Sequence, residues 1–216
     1  MKTEPKYYFK KINELPFLEI FETENIWKIL NERDKFFLQF NESNIKGHVS
    51  ETVYLEGIII IEKGAKILNG STIKGPVYIG KNSIIGPNAY IREKTIIGNN
   101  CKIGSGEIKG SIIMNNARVD HFGYIGDSIL GDSSHIGAGV VTTNLRFDNK
   151  NLKENIRKYG LVLGDNSQLG SNVTTLPGTF VGPDSWVYPG VVLKEFVPVS
   201  SIVKYKPNYS IVEKNK

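Results

Sequence analysis

From Leu55 onward an aliphatic residue returns at every sixth position: Leu55, Ile61, Ile67, Ile73, Ile79, Ile85, Ile91, Ile97 and Ile103. A globular helix cannot keep that spacing, because its buried stripe follows a period of about 3.6 residues. An antiparallel sheet would need a turn signal after each strand. The period is that of a parallel β-helix, in which each hexad forms one short strand and three hexads close one coil. Beyond Ile103 the inward positions continue at Ile108, Ile113, Val119, Ile125, Leu130, Ile136 and Thr142, with three of the steps shortened to five residues. The pattern breaks at Asn144 and resumes at Leu163, Leu169, Thr175, Val181, Val187 and Leu193. The expected fold class is therefore all-β, a parallel β-helix of hexapeptide repeats with about seven coils, roughly 35 Å tall at the usual strand spacing.

Three segments stand outside the repeat. Residues 1–45 read as an N-terminal helical segment: Ile20, Trp27, Ile29, Leu30, Phe37 and Leu38 recur among charges between Phe17 and Phe40, and Thr23 and Asn25 are available as caps. Leu15-Pro16 gives it an extended lead-in. The reading is a helical cap over the open end of the β-helix, where unpaired strand edges need cover, with docking of a partner as the alternative. The β-helix domain then covers residues 46–195 and extrudes an external loop, 145–160, which is polar and too long for a tight turn. The C-terminal tail, 196–216, leaves the repeat.

Composition excludes several classes. The net charge of +5 is spread along the chain with no basic stripe interleaved with aromatics, so nucleic acid is not the expected partner and anionic small ligands account for the excess equally well. Neither a long apolar run nor a signal-peptide core is present, which predicts a cytoplasmic protein without a membrane role. The single Cys101 cannot form an internal disulfide or a thiolate metal site, and its place in the repeat suggests packing. No metal is expected: zinc hydratases on such scaffolds need three histidines, and here only His121 and His135 lie close in sequence, with His48 far down the stack.

The stretch His121–Asn144, HFGYIGDSILGDSSHIGAGVVTTN, holds two of the three histidines at predictable directions. His121 lies two residues past inward Val119, near a corner, and the shortened hexads beside it are placed to open a pocket where ordinary repeats would be flush. The plain alternative is a solvated corner histidine. Arg92 stands where a glycine commonly follows the inward aliphatic residue, and Glu107 and Lys109 flank Ile108; all three read either as ligand contacts or as surface decoration and a surface ion pair.

That stretch resembles the signature of the acetyltransferase half of the bacterial bifunctional enzymes that make UDP-N-acetylglucosamine, and NLRFDNKN resembles their archaeal sugar-phosphate relatives, over roughly residues 55–195. The resemblance implies a left-handed β-helix, a homotrimer with sites between subunits, acetyl-CoA as co-substrate and a small amino-sugar phosphate, glucosamine 1-phosphate, as acceptor. Carried over by position, His121 matches the catalytic base, Glu107 the carboxylate that orients it, and Asn144 an amine contact. Arg92 and Lys109 match phosphate-holding residues, Tyr124 a sugar contact, and Lys150 a further substrate contact. Ala138 matches the backbone N–H facing the thioester carbonyl and Ser171 another acetyl-CoA contact. Two positions depart from the pattern: His135, which stays a candidate contact to the acceptor substrate, stands where Asn is usual, and Leu145 where an aromatic is usual. The stretch before Glu107 is one residue shorter than in the bacterial pattern. The first 45 residues leave no room for a nucleotide-binding α/β domain, which makes a separate uridylyltransferase a possible partner.

Three functions fit these residues. One is acetyl-CoA-dependent N-acetylation of an amino-sugar phosphate in nucleotide-sugar biosynthesis. Another is acyl transfer to a nucleotide-linked amino sugar, with loop and tail setting the acceptor. The third is a non-catalytic trimeric β-helix scaffold.

Overall fold

The computed structural model describes residues 2–206. Three parallel sheets of nine, nine and eight strands run the length of the stack. The first sheet begins at Asn44–Ile45, the second at His48–Val49 and the third at Tyr54–Glu56, and each later strand pairs with its counterpart one coil on. The fold class is the expected left-handed parallel β-helix. It has nine turns where the hexads suggested about seven. The additional strands are at the two ends: Asn44–Ile45 and His48–Val49 precede Leu55, and Phe196–Val197 and Ile202–Val203 continue the first two sheets past Leu193. The tail expected to leave the repeat thus supplies a further turn, and residues 207–216 lie outside the described residues.

Inside, the counted positions form one column. From Ile61 to Val181 the inward aliphatic residues are at most 3% exposed, and Thr142 and Thr175 take the same inward place at 0%. Each such aliphatic side chain contributes about 1.5–3 kcal/mol by leaving water. The shortened hexads are visible in the register: Ile61 pairs with Ile79, whereas Ile97 pairs with Ile113 in a coil two residues shorter. The loop leaves the stack without disturbing it, since Leu130 pairs with Leu163 across the insertion.

The N-terminal segment does not cap an end. It lies along the outer face of the first sheet, whose strands from Ile59–Ile61 to Thr179–Val181 are buried on both sides. Ile60, Tyr78, Ile96, Ile112, Ile129, Val162 and Phe180 form an outer apolar column, each at most 6% exposed. Over them pack Phe17 and Phe36 on Tyr78, and Tyr8 and Trp27 on Phe180, with ring centroids 4.8–6.3 Å apart. Polar contacts fix the segment to the stack. The Lys10 N–H donates to Asp165 Oδ2 at 2.7 Å, Lys11 Nζ to Asp132 Oδ1 at 2.9 Å, and Tyr159 Oη, at the loop's end, to the Ile26 carbonyl at 2.8 Å.

The single helix expected between Phe17 and Phe40 is instead two short 3₁₀ turns, Leu18–Phe21 and Ile26–Lys28, followed by an α-helix, Ile29–Phe37. Its apolar residues must reach a flat column that rises coil by coil, and a straight helix would carry part of them away from it. The chain therefore turns at Thr23–Asn25, where Asn25 Oδ1 accepts from the Trp27 N–H at 3.0 Å as an N-cap. No helix among the described residues is long and apolar enough to cross a membrane.

Candidate active site

The corner between the second and third sheets usually turns through a residue in the left-handed region: Gly70, Asn88, Gly139, Asn172 and Gly190 have φ between 57° and 74°. Glycine and asparagine are found there because other side chains resist that conformation. Apart from the first coil, which turns at Glu51–Thr52, two successive coils depart, at Ser105–Gly106 and at His121–Phe122, and none of these residues has positive φ. These are the coils with shortened hexads. The hexad that carries His121, from Val119 to Ile125, keeps six residues, so its corner is reshaped in backbone conformation and not in length, and both His121 and Phe122 stand exposed on it.

His121 lies two residues past the strand Arg118–Val119, Ala138 two past His135–Ile136, and Ser171 two past Gln168–Leu169. These strands stack directly, Arg118 pairing with His135 and Ile136 with Leu169. His121, Ala138 and Ser171 thus occupy one corner position in three consecutive coils, about 4.8 Å apart per step. Pro87 and Pro189 take the same position elsewhere in the stack, so the N–H there has no part in the ladder. Neither Ala138 nor Ser171 donates its N–H to a backbone acceptor among the described residues. The corner therefore offers an imidazole and, above it, N–H groups available to an incoming carbonyl.

Beside this corner, the outer face of the third sheet gathers the polar candidates. Glu107 pairs in register with Tyr124 on the next coil, and Lys109 with Gly126. Arg92, one coil before, places its guanidinium 2.8 Å from Glu107 Oε1 and 5.8 Å from the Tyr90 ring centroid. Asn144 Nδ2 lies 3.3 Å from Tyr124 Oη and 2.5 Å from Asp127 Oδ2, and Lys109 Nζ is 3.4 Å from the same Asp127 oxygen. Burial, with the Asp127 charge adding to it, holds the Tyr124 hydroxyl above its ordinary pKa. Tyr124 follows His121 by three residues, so this face and the histidine corner meet within one coil.

Not every expected residue joins the cluster. Glu107, expected to orient His121, is engaged by Arg92, and no hydrogen bond joins it to His121 among the described residues. The reason is register: strand pairing puts Glu107 on the face of the third sheet, while His121 projects from the corner. His135 sits on the outer face of the second sheet, its Nε2 3.9 Å from Asp120 Oδ2, which Arg118 also holds at 2.6 Å. Lys150 is exposed in the loop, where its N–H donates to Asp148 Oδ1 at 3.1 Å. Two residues were missed. Asp127 ties Lys109 to Asn144, and Gly126 lets the Tyr124 ring lie along the strand, since a Cβ there would meet Tyr124 Oη at 2.5 Å. Both stand in YIGDS, where glycine after an inward aliphatic residue looks like every other hexad.

This is a hexapeptide-type β-helix protein with a reshaped histidine corner. More particularly, the chain belongs to the GMPPB C-terminal domain family, whose profile matches residues 73–205. It is 38% identical over 104 residues to the bifunctional protein GlmU of Methanocaldococcus jannaschii, covering 48% of this chain and 25% of that one. It is 41% identical over 84 residues to the bifunctional sugar-1-phosphate nucleotidylyltransferase/acetyltransferase of Sulfurisphaera tokodaii, covering 38% and 21%. The matched stretch spans a quarter or less of the length of these relatives. Among solved structures, LpxA of Bacteroides fragilis, a UDP-N-acetylglucosamine acyltransferase, aligns over 76% of this chain and 67% of that one, with 19% identity and a TM-score of 0.40.

Proposed function

We propose that the protein is an acetyl-CoA-dependent N-acetyltransferase whose acceptor is an amino-sugar phosphate, glucosamine 1-phosphate in the first instance. The observation that supports it most is the stacking of His121, Ala138 and Ser171 at one corner beside the Arg92–Glu107 and Tyr124–Asn144–Asp127–Lys109 groups. Transfer of the acetyl group to an amine needs the neutral amine, and His121 takes the ammonium proton as the C–N bond forms. The negative charge that develops on the thioester oxygen is met by the Ala138 N–H, and the CoA thiol leaves. Arg92 and Lys109 supply cationic character for the phosphate. The corner offers one wall of such a pocket, so a homotrimer, with a second subunit facing His121, completes the reading.

The test is release of CoA thiol from acetyl-CoA across a panel of amino-sugar phosphates, unphosphorylated amino sugars and nucleotide-linked amino sugars. Turnover with glucosamine 1-phosphate and not glucosamine supports the proposal. Turnover only with nucleotide-linked sugars shifts the acceptor class, and no turnover with any leaves a scaffold. The protein's own thiol does not interfere. Cys101 is 1% exposed and desolvation pushes its pKa up to about 12. It is expected to resist a disulfide-exchange reagent at pH 8 in the native protein and to react only on unfolding; labelling within minutes would show an opened coil.

Gly126→Ala is expected to lower kcat/KM for the acceptor by roughly tenfold to a hundredfold, because the Tyr124 ring must swing off Gly126 and away from Asn144. The KM for acetyl-CoA should hold. Steady-state kinetics with each substrate varied in turn checks this, and equal losses for both substrates would count against a local effect.

A further inference from the structure

The acceptor side of the site has a built-in polarity, and its source is a residue outside the expected set. Asp127 is 9% exposed and follows Gly126 at the corner between the third and first sheets, with φ 45°. Its backbone is pinned on both sides: its N–H donates to the Lys109 carbonyl at 2.9 Å and its carbonyl accepts from the Gly160 N–H at 2.7 Å. The side chain therefore has little freedom. Its Oδ2 stands 2.5 Å from the Asn144 side-chain nitrogen and 3.4 Å from Lys109 Nζ.

An ionised carboxylate only accepts hydrogen bonds, so the half of the Asn144 amide that faces it must be the NH₂. The amide carbonyl then has one direction left, away from Asp127. The same NH₂ lies 3.3 Å from Tyr124 Oη, so that oxygen accepts there and the phenolic proton is available for another partner. We infer that Asp127 is a positioning residue that locks the Asn144 amide carbonyl and the Tyr124 hydroxyl into a fixed acceptor–donor pair for the amino sugar. This rests on the amino-sugar reading above and deepens it. The acceptor class it selects carries a donor, an ammonium or hydroxyl, next to an oxygen that can accept from the tyrosine.

The full-length protein is labelled with ¹⁵N-asparagine and the Asn144 side-chain amide is assigned by its loss in Asn144→Ala. In the wild type one amide proton should be shifted downfield and protected from exchange, and in Asp127→Asn it should return to a solvent-like position. An amide that is already solvent-like in the wild type overturns the lock, whether or not any acceptor is turned over. In the thiol-release assay Asp127→Asn should raise the acceptor KM by about tenfold, the order of one misaligned charge-assisted contact, with kcat and acetyl-CoA KM nearly unchanged. An unchanged acceptor KM in a variant melting within a few degrees of wild type overturns the positioning role. If wild-type protein turns over no amino sugar, the functional reading fails, and with it the acceptor role, while the amide spectrum still decides the lock.

Discussion

A chain lacking residues 1–40 is expected to be made but not to stay in solution. The outer column from Ile60 to Phe180 comprises seven large side chains that are almost wholly covered in the intact chain, chiefly by the N-terminal segment. Burial of each is worth about 1.5–3 kcal/mol, so uncovering them forfeits on the order of 10 kcal/mol. That is comparable with the whole margin of about 5–15 kcal/mol by which domains stay folded. The loss would be felt even where the inner column holds, because a continuous apolar strip along one side of a prism is an association surface. The measurements are soluble yield, size-exclusion profile and dye binding of the truncated chain beside the intact one. A monodisperse truncated protein with a cooperative melt near that of the full chain would show that the segment is an accessory. A milder version is Trp27→Ala, which leaves a void against Phe180 and Tyr159 and should cost about 3–5 kcal/mol.

The strip was legible in the sequence, one position away from what was counted. The residue before the inward aliphatic is mostly polar on the second sheet, as at Lys66, Lys102, Arg118, His135 and Gln168, with Ile84 and Trp186 the exceptions, and is mixed on the third, with Thr72, Tyr90, Glu107, Tyr124 and Val192. On the first sheet it is Ile60, Tyr78, Ile96, Ile112 and Ile129. An outward apolar residue in every third hexad means one sheet is covered on both faces, and the aromatic-rich first 40 residues are the segment available to cover it. The end coils were harder to read, because the six-residue spacing falls to four between Ile45 and Val49 and again between Leu193 and Val197.

The site divides in the same way. That His121, Ala138 and Ser171 belong together follows from counting two residues past an inward position in consecutive coils. Side-chain pairing across coils does not follow from counting. Arg92 could have met any of several acidic residues, and its engagement with Glu107 depends on the register of a coil one residue short. The Asp127–Asn144 contact joins a corner residue of unusual backbone conformation to the last residue before an extruded loop, and no periodicity reports on either. His135 and Asp120 face each other across coils, so the two residues share one local environment on the second sheet.

The largest kinetic effect should come from His121→Ala. If the imidazole removes the ammonium proton as the amine attacks, its loss should cut kcat by about 10² to 10⁴, the usual worth of a positioned general base. The acetyl-CoA KM should hardly move, because the donor contacts proposed at Ala138 and Ser171 are backbone groups on later coils that the substitution does not touch. Removing a solvated corner residue would cost little stability, so the melting temperature should stay within a few degrees and the loss can be read as chemistry. His135→Ala is the control that gives the result its meaning. His135 lies on the second sheet beside Asp120, away from the face that carries Tyr124 and Asn144, and its removal should leave kcat within a few-fold. The reverse outcome, near-normal turnover in His121→Ala and a dead His135→Ala, would move the base one coil along the stack. The acceptor would then bind against the second sheet, with Asp120 in place of Asp127 as the carboxylate behind it.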